Sequence, residues 1–322
     1  MFFTFMLMMA SVFAAQEESK VTLGHNLSHE KRDLSFEETF ERISKKIKER
    51  GELSYVSVEK QLEYLNLLSE FGLGKFLIER GGVNGYWTDY IMSYPDTEHS
   101  DRLNAMENFL LNRAPLILAT QERYKIFKSE MQKRVRDGAS FMSIPCGLMA
   151  DCLQLDFSQV TDFSLTGIDL DQESLDRAAD NSKKYGLESH SSFLLRDAWN
   201  LQFHGAFDLI TSNGLTMYEP DDARVEAFYR ECYEALKSGG CFVTSFITPP
   251  PAQGNGCSWK MDAINKDDAL LQKIIFADIL DCRWQTYRSE EKTRNLLKST
   301  GFTEVEMIYD TARMFPTVIA TK

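Results

Sequence analysis

The residues of this sequence with the clearest chemical potential are a glycine and an aspartate that follow two apolar segments. The first segment, Phe141–Gly147, ends in a Pro-Cys-Gly turn, and the second, Gly167–Asp169, ends in a carboxylate. Gly147 would let the backbone approach a ligand, and a following helix would offer free N–H groups. Asp169 stands 22 residues after Gly147, close to the spacing at which a carboxylate meets the ribose of a nucleotide cofactor. The two residues predict a nucleotide site, with an ordinary strand-to-helix turn as the alternative.

The composition is that of a soluble globular protein. The 322 residues are 43% hydrophobic and 26% charged, which is enough for one large domain or two small ones. The formal net charge of −12 disfavours sequence-independent binding to nucleic acid, because such binding needs a Lys/Arg surface. We therefore expect a small-molecule ligand and no nucleic-acid partner.

The metal-ligating residue types show no metal-binding pattern. None of the six cysteines forms a Cys-x-x-Cys pair, and none of the five histidines has metal-ligand spacing. We therefore expect no metal site, and the scattered histidines single out no general base. Several cysteines lie in apolar surroundings, as buried free thiols do, which favours a cytoplasmic protein.

The first fifteen residues allow two interpretations. Met1–Ala15 is almost wholly apolar, yet it is shorter than the roughly 20 residues that a membrane span needs. It lacks the Lys or Arg of a charged signal-peptide start, although Val12 and Ala14 are small residues ahead of a cleavage point. We expect a cytoplasmic protein with no stable membrane span, and export through a signal peptide is the alternative.

The pattern of elements changes once along the chain. Ser35 and Glu38 form a capping box, and helical spacing follows it. We predict an apolar segment and linker over 1–34, a helical region over 35–138 and an α/β domain over 139–322. Within the α/β domain, parallel strands are predicted at 140–144, 163–168, 191–196, 206–212 and 241–247, with helices between them.

The end of the chain indicates a different kind of strand pairing. Two strand-like runs, Phe302–Tyr309 and Phe315–Thr321, are about five residues apart, too few for a crossover helix. These strands must therefore pair antiparallel. The predicted fold is α/β: a doubly wound, mostly parallel seven-stranded Rossmann-like sheet that ends in an antiparallel hairpin, preceded by a helical region.

In this order, the elements resemble a class I S-adenosylmethionine-dependent methyltransferase over about residues 140–322. The resemblance rests on five segments in normal order and spacing. They are Phe141–Met149 as first strand and loop, Gly167–Asp171 as second strand, Leu195–Trp199 as adenine-contacting segment, Phe207–Leu215 as fourth strand and loop, and Leu236–Gly240 as the turn before the fifth strand.

The sequence departs from the family pattern in the first loop. The family often has three glycines there, but Pro145 and Met149 take the outer positions and only Gly147 remains. Ser143 replaces an acidic residue that often helps to hold the amino-acid end of the cofactor. A serine attracts an ammonium group less strongly, so these departures bear on the tightness of cofactor binding.

The resemblance implies S-adenosylmethionine as cofactor and assigns residues to its site. Asp169 would accept hydrogen bonds from both ribose hydroxyls, and Asp197 one from the adenine amino group, with the Trp199 ring nearby. Asn213 follows a strand at the edge where ligands bind in open parallel sheets, where it would fix the acceptor or the methionine part of the cofactor. The full cofactor set is Ser143, Pro145, Cys146, Gly147, Asp169, Leu170, Asp197, Ala198 and Asn213.

Aromatic residues supply the candidate acceptor contacts. In this superfamily a helical region before the sheet often covers the cofactor, so residues 86–90 are expected to form a lid, with an aromatic core as the alternative. Arg123 is expected on a helix surface, with pairing to the cofactor carboxylate as the alternative. The acceptor candidates are Tyr86, Trp87, Tyr90, Tyr218 and Trp259.

The leading hypothesis is methyl transfer from S-adenosylmethionine to a small-molecule acceptor, without an assigned catalytic base. An NAD-dependent oxidoreductase is the first alternative, because Asp169 would suit NAD equally well. The single loop glycine and the terminal hairpin disfavour it. A non-catalytic cofactor-binding scaffold is the second alternative, suggested by the replaced glycines and by Ser143.

Overall fold

The protein is described from a computed structural model that covers residues 34–97, 103–251, 257–282 and 286–322. These residues fall into two compact units. The first unit contains 34–121, 251 and 260–282, and the second contains 122–250, 257–259 and 286–322. The segment Met1–Ala15 lies outside the described residues. None of the helices in these ranges combines the length and the apolar content that a membrane span needs.

The first unit is built from helices around one apolar core. Buried side chains such as Ile47, Leu65, Leu77 and Phe109 pack together there, joined by Ile275 from the later segment. The helices are α1 (Phe36–Arg50), α2 (Val58–Leu68), α3 (Gly72–Arg80), α4 (Gly85–Ser93), α5 (Ala105–Asn112), α6 (Pro115–Gln132) and α10 (Lys266–Lys273). Helix α6 continues into the second unit, which begins at residue 122.

Side-chain caps fix where these helices begin. The predicted capping box is present: the Ser35 backbone N–H donates to Glu38 at 2.8 Å, and the Glu38 N–H donates to Ser35 Oγ at 3.2 Å. Asn84 caps α4 by accepting from the Trp87 N–H at 3.0 Å. The aromatic residues Tyr86, Trp87 and Tyr90 therefore lie on a helix.

A π-helix, Ile274–Ile279, follows α10 and holds a buried polar cluster. Its wide turn brings residues five apart into line, and Lys273 Nζ lies 3.3 Å from Asp278 Oδ2. The Tyr55 hydroxyl contacts the same amine and donates to Asp278 at 3.1 Å. Arg50 of α1 donates to the Asp278 carbonyl at 2.8 Å. These bonds tie residues 273–278 to the N-terminal helices of the same unit.

The second unit contains the seven-stranded sheet, in the order β3-β2-β1-β4-β5-β7-β6. The strands are β1 (Ala139–Ser143), β2 (Phe163–Asp169), β3 (Ser191–Leu195), β4 (Phe207–Ser212), β5 (Leu236–Ser245), β6 (Glu304–Ile308) and β7 (Thr317–Thr321). The pairs among β1 to β5 are parallel, whereas β7 runs antiparallel to both β5 and β6. The predicted fold class, including the terminal hairpin, is confirmed.

Helices cover the sheet on both faces. The remaining helices of the unit are α7 (Ala150–Leu153), α8 (Gln172–Lys184), α9 (Asp222–Ala235) and α11 (Glu290–Ser299). Phe228 of α9 and Leu297 of α11 share one apolar cluster with Phe242 of β5. Phe127 of α6 and Leu175 of α8 share another cluster on the sheet. The core therefore consists of two apolar layers, as a doubly wound sheet requires.

The predicted turn at Leu236–Gly240, ahead of a strand at 241–247, is wrong. Helix α9 ends at Ala235, and β5 begins directly at Leu236. The pairing of β5 with β4 shifts register between Phe207 and Leu209 of β4. Gly239 has φ 74°, in the left-handed region that favours glycine. The glycines therefore serve an irregular strand start, which resembles a helix stop in sequence.

The carboxylate of Asp208, in β4, links this strand to the neighbouring strands β1 and β5. It accepts from the Ser140 N–H at 2.9 Å and lies 2.7 Å from Lys237 Nζ and 2.6 Å from an Arg136 nitrogen. Burial acts to raise the pKa of this carboxyl, but the hydrogen bonds from Lys237 and Ser140 outweigh it and lower the pKa to about 2. The ionised form therefore stabilises the fold.

We expect Asp208→Asn to lower the free energy of unfolding by about 1–2 kcal/mol at pH 7. Because the folded-state pKa is depressed, this stabilisation is present above the unfolded-state pKa and is lost as the pH falls toward 2. Urea unfolding from pH 7 to pH 2.5 measures the difference. Asp180→Asn is the control, since Asp180 forms an exposed pair with Lys183. A gap between wild type and Asp208→Asn that stays constant with pH would contradict the assignment.

Candidate cofactor-binding site

The loop after β1 folds back onto the end of β2. The Cys146 N–H donates to the Ile168 carbonyl at 2.8 Å, and the Gly147 N–H donates to Asp169 Oδ2 at 2.9 Å. A third bond, from the Met149 N–H to the Cys146 carbonyl at 2.7 Å, closes the turn. The two residues that the sequence singled out, Gly147 and Asp169, are therefore in direct contact.

Met149 adopts a glycine-like backbone in this loop. Its φ is 55°, close to the 49° of Gly147, although it carries a side chain. A left-handed conformation costs a non-glycine residue roughly 1–2 kcal/mol. The Met149 side chain is 1% exposed and belongs to the core of the second unit, which offsets that cost. The loop thus keeps its path without the glycine that the family often has there.

The helix after the loop is shorter than the sequence argument assumed. Helix α7 spans only Ala150–Leu153. A single turn offers little of the dipole that attracts anions to long helices. The expectation that this helix supplies free N–H groups to a ligand stays a prediction, and the loop and the strand ends are the other candidate binding elements.

Asp169 holds the end of β2 and retains acceptor capacity. It is 8% exposed, and its Oδ1 accepts from the Asp171 N–H at 3.1 Å while Oδ2 is bonded to Gly147. An ionised carboxylate offers about four acceptor positions. Two of them bind these backbone groups, so a ribose hydroxyl pair fits the remaining positions.

Two large apolar side chains flank this carboxylate and remain exposed. Leu170 is 59% exposed and Leu195 is 58% exposed. Asp169 of β2 is paired in register with Leu195 of β3, so both leucines stand at the ends of neighbouring strands. Exposed apolar side chains beside a buried carboxylate fit an adenine ring attached to a ribose.

The predicted adenine-contacting segment, Leu195–Trp199, covers the last residue of β3 and the turn after it. Asp197 is exposed and accepts from the Trp199 N–H at 3.0 Å, and Ala198 is buried. The Trp199 indole donates to the Arg224 carbonyl at 2.8 Å, and its ring centroid is 5.8 Å from that of Phe228. The indole is therefore held against α9, and its place beside the adenine ring stays a prediction.

The other predicted cofactor residues surround the same loop. Ser143 ends β1, is 3% exposed and is paired with Gly167 of β2 and Thr211 of β4. Pro145 lies in the loop itself, and Asn213 directly follows β4. The sheet order places β1 between β2 and β4, so all three residues stand at the carboxyl ends of adjacent strands.

The thiol of Cys146 is part of the loop packing. It is 7% exposed, and burial raises its pKa, with further increases from the carboxylates of Asp169 and Asp151. A thiol in such surroundings stays protonated and unreactive. Cys146 therefore shapes the site and takes no part in nucleophilic chemistry.

Asp151 is a site residue that the sequence interpretation did not include. It is 8% exposed in α7, and its charge acts on the thiols of both Cys146 and Cys152. Two buried acids, Asp169 and Asp151, therefore lie near this loop. The only sequence signal was an acid in the first helical turn, which is usually a capping residue.

Three of the predicted acceptor residues form an aromatic cluster in the first unit. The ring centroids of Tyr86 and Trp87 are 4.9 Å apart and those of Trp87 and Tyr90 are 5.5 Å apart, both edge to face. The Tyr90 hydroxyl donates to Glu107 at 3.2 Å. Trp87 and Tyr90 pack on the core of the first unit, while Tyr86 is 42% exposed. The lid function stays a prediction.

The two acceptor candidates in the second unit are placed near the ends of β4 and β5. Trp259 is 9% exposed, and its indole donates to Thr248 Oγ1 at 2.9 Å. Tyr218 ends the 3₁₀ turn Leu215–Tyr218 after β4. Burial raises the pKa of the Tyr218 phenol, and the neighbouring Arg123 guanidinium opposes this increase.

Arg123 is buried, so the expectation of a surface arginine is wrong. It is 5% exposed on α6. Helical periodicity alone did not distinguish the faces of α6, because polar and apolar residues are mixed around it. Across the described ranges, no group of three or more His, Cys, Asp or Glu side chains could hold a metal ion.

Comparison with known proteins agrees with this arrangement. A family model described as a methyltransferase domain matches residues 145–240, which include the loop, β2, β3 and β4. Sterol 24-C-methyltransferase erg6 of Aspergillus fumigatus is 25% identical over 112 residues. That match covers 34% of this chain and 28% of the relative, so the chain spans less than a third of the length of that curated protein.

Solved structures extend the comparison to most of the chain. A possible exported protein from Bordetella parapertussis is 39% identical, with a TM-score of 0.85, covering 89% of this chain and 95% of that one. The apo form of the methyltransferase SibL is 12% identical with a TM-score of 0.51, covering 82% of this chain and 75% of that one. The latter likeness concerns the fold alone.

Gly167→Ala tests how closely the loop packs on β2. An added Cβ would lie 2.9 Å from Phe193 Cδ1, 3.0 Å from Cys146 Sγ and 3.1 Å from Met149 Sδ. We expect a loss of about 1–3 kcal/mol in the free energy of unfolding, because this site has no room for a methyl group. Hydrogen exchange of the Gly147 amide should also become faster, since the loop must move away from Asp169.

Ser164→Ala, at an exposed position of the same strand, is the matched control for Gly167→Ala. Its stability and its Gly147 amide protection should equal those of the wild type. Full stability and unchanged amide protection in Gly167→Ala would contradict the close packing of loop and strand.

Proposed function

This chain belongs to the class I S-adenosylmethionine-dependent methyltransferases, and from that membership we propose that it transfers a methyl group from this cofactor to a small organic acceptor. The observation that carries the proposal is the Asp169 carboxylate, which holds the Gly147 N–H and stands beside two exposed leucines. A purely structural carboxylate would not need exposed apolar neighbours on the ends of two strands.

Different residues at the edge of the sheet bind different parts of the cofactor. Asp169 binds the ribose hydroxyls, and Leu170 and Leu195 enclose the adenine ring. Asp197 accepts from the adenine amino group, and the Ala198 backbone lies beside it. The loop Pro145–Gly147 lines the path from ribose to sulfur, where Cys146 and the buried methionine keep the backbone in place.

The amino-acid end of the cofactor needs a negative group for its ammonium. Ser143 is neutral, so the charge that the family often has at that position is missing. Asp151 is the buried acid on the other side of the loop, and we assign the ammonium to it. This assignment explains how the chain holds the cofactor without an acid at position 143.

The chemistry requires positioning more than proton transfer. S-adenosylmethionine supplies an activated methyl group: the acceptor lone pair forms a bond to the methyl carbon while the carbon–sulfur bond breaks and its electrons stay on sulfur. The protein must align the acceptor in line and exclude water, which contributes roughly 7–11 kcal/mol in favourable cases. A dedicated base is needed only for a poorly nucleophilic acceptor.

The acceptor is proposed to be a small organic molecule. The net charge of −12 gives an unfavourable mean field for nucleic acid. The acceptor candidates of the second unit, Tyr218 and Trp259, are aromatic residues that suit contact with a partly apolar ligand. The Aspergillus relative, which is named for a sterol, supports small-molecule chemistry in this group of proteins.

The cellular location follows from two opposing observations. The six cysteines are free thiols, which favours a reducing compartment. The Bordetella relative is named a possible exported protein, which favours the alternative of export. We propose a cytoplasmic location on the strength of the thiols.

The first test of this function is a transfer assay with radiolabelled S-adenosylmethionine and separate pools of metabolites, nucleic acid and protein. We expect label in the metabolite pool, with none in the other two. Label in the nucleic-acid or protein pool alone would overturn the small-molecule acceptor. Cofactor binding by calorimetry without label in any pool would favour the non-catalytic scaffold, and binding of NADH in its place would favour an oxidoreductase.

The second test is Asp169→Ala, which we expect to weaken S-adenosylmethionine binding by about 1–3 kcal/mol. The loss has two causes, the ribose hydroxyls left unpaired and the Gly147 N–H released from the strand end. Calorimetric titration measures it, with Asp176→Asn as the control at an exposed position of α8. An unchanged affinity in Asp169→Ala would remove this residue from the cofactor site.

A further inference from the structure

Arg123 is a buried cation that cofactor binding leaves unexplained. It is 5% exposed, and its Nε has no hydrogen-bond acceptor among the described residues. Its Nη1 lies 3.8 Å from Met217 Sδ, a weak acceptor, and its guanidinium carbon is 4.7 Å from the Phe315 ring centroid. Within the described ranges no carboxylate forms an ion pair with it.

A desolvated charge without an ion pair is costly to the folded protein. Burial lowers the pKa of Arg123 to about 10, while Tyr218 and Asp310 act to raise it, so the side chain is still a cation at neutral pH. Asp310 forms no hydrogen bond or ion pair with Arg123; its oxygens accept from the Met314 N–H at 3.1 Å and the Phe315 N–H at 2.7 Å. The cation is therefore available to a ligand.

Arg123, on helix α6, lies beside a different part of the sheet edge from the residues proposed to bind the nucleoside of the cofactor. It lies between the turn after β4 and the loop before β7: a Cβ on Gly214 would be 3.9 Å from Nη1, and Phe315 comes two residues before β7. In the strand order, β7 stands four places from β2, a distance of about 19 Å at the usual strand spacing. Asp169 is thus at one end of this edge and Arg123 toward the other.

We propose that Arg123 binds a carboxylate of the acceptor, so that the substrates of this enzyme are organic acids. The proposal rests on the proposed methyl transfer and names the substrate class of the same site. The Nε–Nη2 edge of a guanidinium presents two parallel N–H groups, which match the two oxygens of a carboxylate. One guanidinium carries one charge, which a carboxylate neutralises fully and a phosphate dianion would exceed.

The neighbours of Arg123 suit this role. Met217 and Phe315 form an apolar wall that lowers the local dielectric and strengthens the contact between guanidinium and carboxylate. Tyr218, already an acceptor candidate from the sequence, ends the same turn. A carboxylate fixed here orients the rest of the acceptor, so that its nucleophile has one direction of approach.

The experiment compares matched carboxylates and primary amides as probes on the full chain. Saturation-transfer NMR measures the binding of phenylacetate against phenylacetamide and of hexanoate against hexanamide, with and without S-adenosylhomocysteine. In the wild type we expect the carboxylates to bind at least tenfold more tightly than the amides. Arg123→Met should abolish this preference, and Arg123→Lys should keep part of it, because lysine retains the charge without the planar fork.

Thermal unfolding separates a binding role from a structural one. If Arg123 serves a ligand, Arg123→Met should keep or raise the melting temperature without probe and lose the upward shift that phenylacetate causes in the wild type. Arg230→Met, at an exposed arginine of α9, is the matched control and should keep both the preference and the shift. If Arg123→Met does not fold, Arg123→Lys carries the same comparison.

Three outcomes would overturn the proposal. They are equal binding of carboxylate and amide by the wild type, a preference that persists in Arg123→Met, and a tenfold loss of S-adenosylhomocysteine affinity in Arg123→Met while 5′-methylthioadenosine binds unchanged. The last result would assign the arginine to the cofactor's own carboxylate. If the proposed methyl transfer is wrong, the result is different: the wild type binds no S-adenosylhomocysteine but still prefers carboxylates to amides.

Discussion

The hydrogen bond from the Gly147 N–H to Asp169 is the contact on which the cofactor site depends. It joins the loop after β1 to the end of β2, so the carboxylate that shapes the loop is also the one proposed to bind the cofactor. Charge-assisted bonds of this kind are stronger than neutral ones. The loop can therefore hold its path with one glycine, since Asp169 and the buried Met149 side chain replace the constraint that additional glycines would give.

The same edge of the sheet carries two different electrostatic environments. Buried acids, Asp151 and Asp169, border the loop at β1 and β2, whereas a buried arginine lies between the ends of β4 and β7. A cofactor with an ammonium group and a ribose suits the acidic side. An acceptor with an opposite charge suits the other side, and the two ligands would then meet near β4 in one orientation.

Much of this fold could be predicted from the sequence, because strand and helix periods are local. The capping box at Ser35, the alternation of strands and helices after residue 139 and the terminal hairpin all follow from patterns within a few residues. The failures have one cause: a residue's partner was distant in sequence. Gly239 belongs to a strand irregularity opposite Phe207, and Arg123 is buried by Met217 and Phe315. For the proposed site, spacing predicted Gly147 and Asp169, which the structure brings into contact, whereas Asp151 was not predicted, since a buried acid and a capping acid look alike in sequence.

The first unit draws its core from two separated parts of the chain, 34–121 and 260–282, with most of the sheet between them. Ile275 and Ile279 reach the core of the early helices, and Lys273 reaches Tyr55, only after more than 130 intervening residues have been added. Closing so long a loop is slow compared with forming local helices. On the ribosome, the early helices must therefore wait with an exposed apolar surface while β1 to β5 are made. The first unit can be completed only after residues 260–282, which follow β5 in the chain, have been synthesised. The order in which the units assemble therefore follows from the order of their segments along the chain.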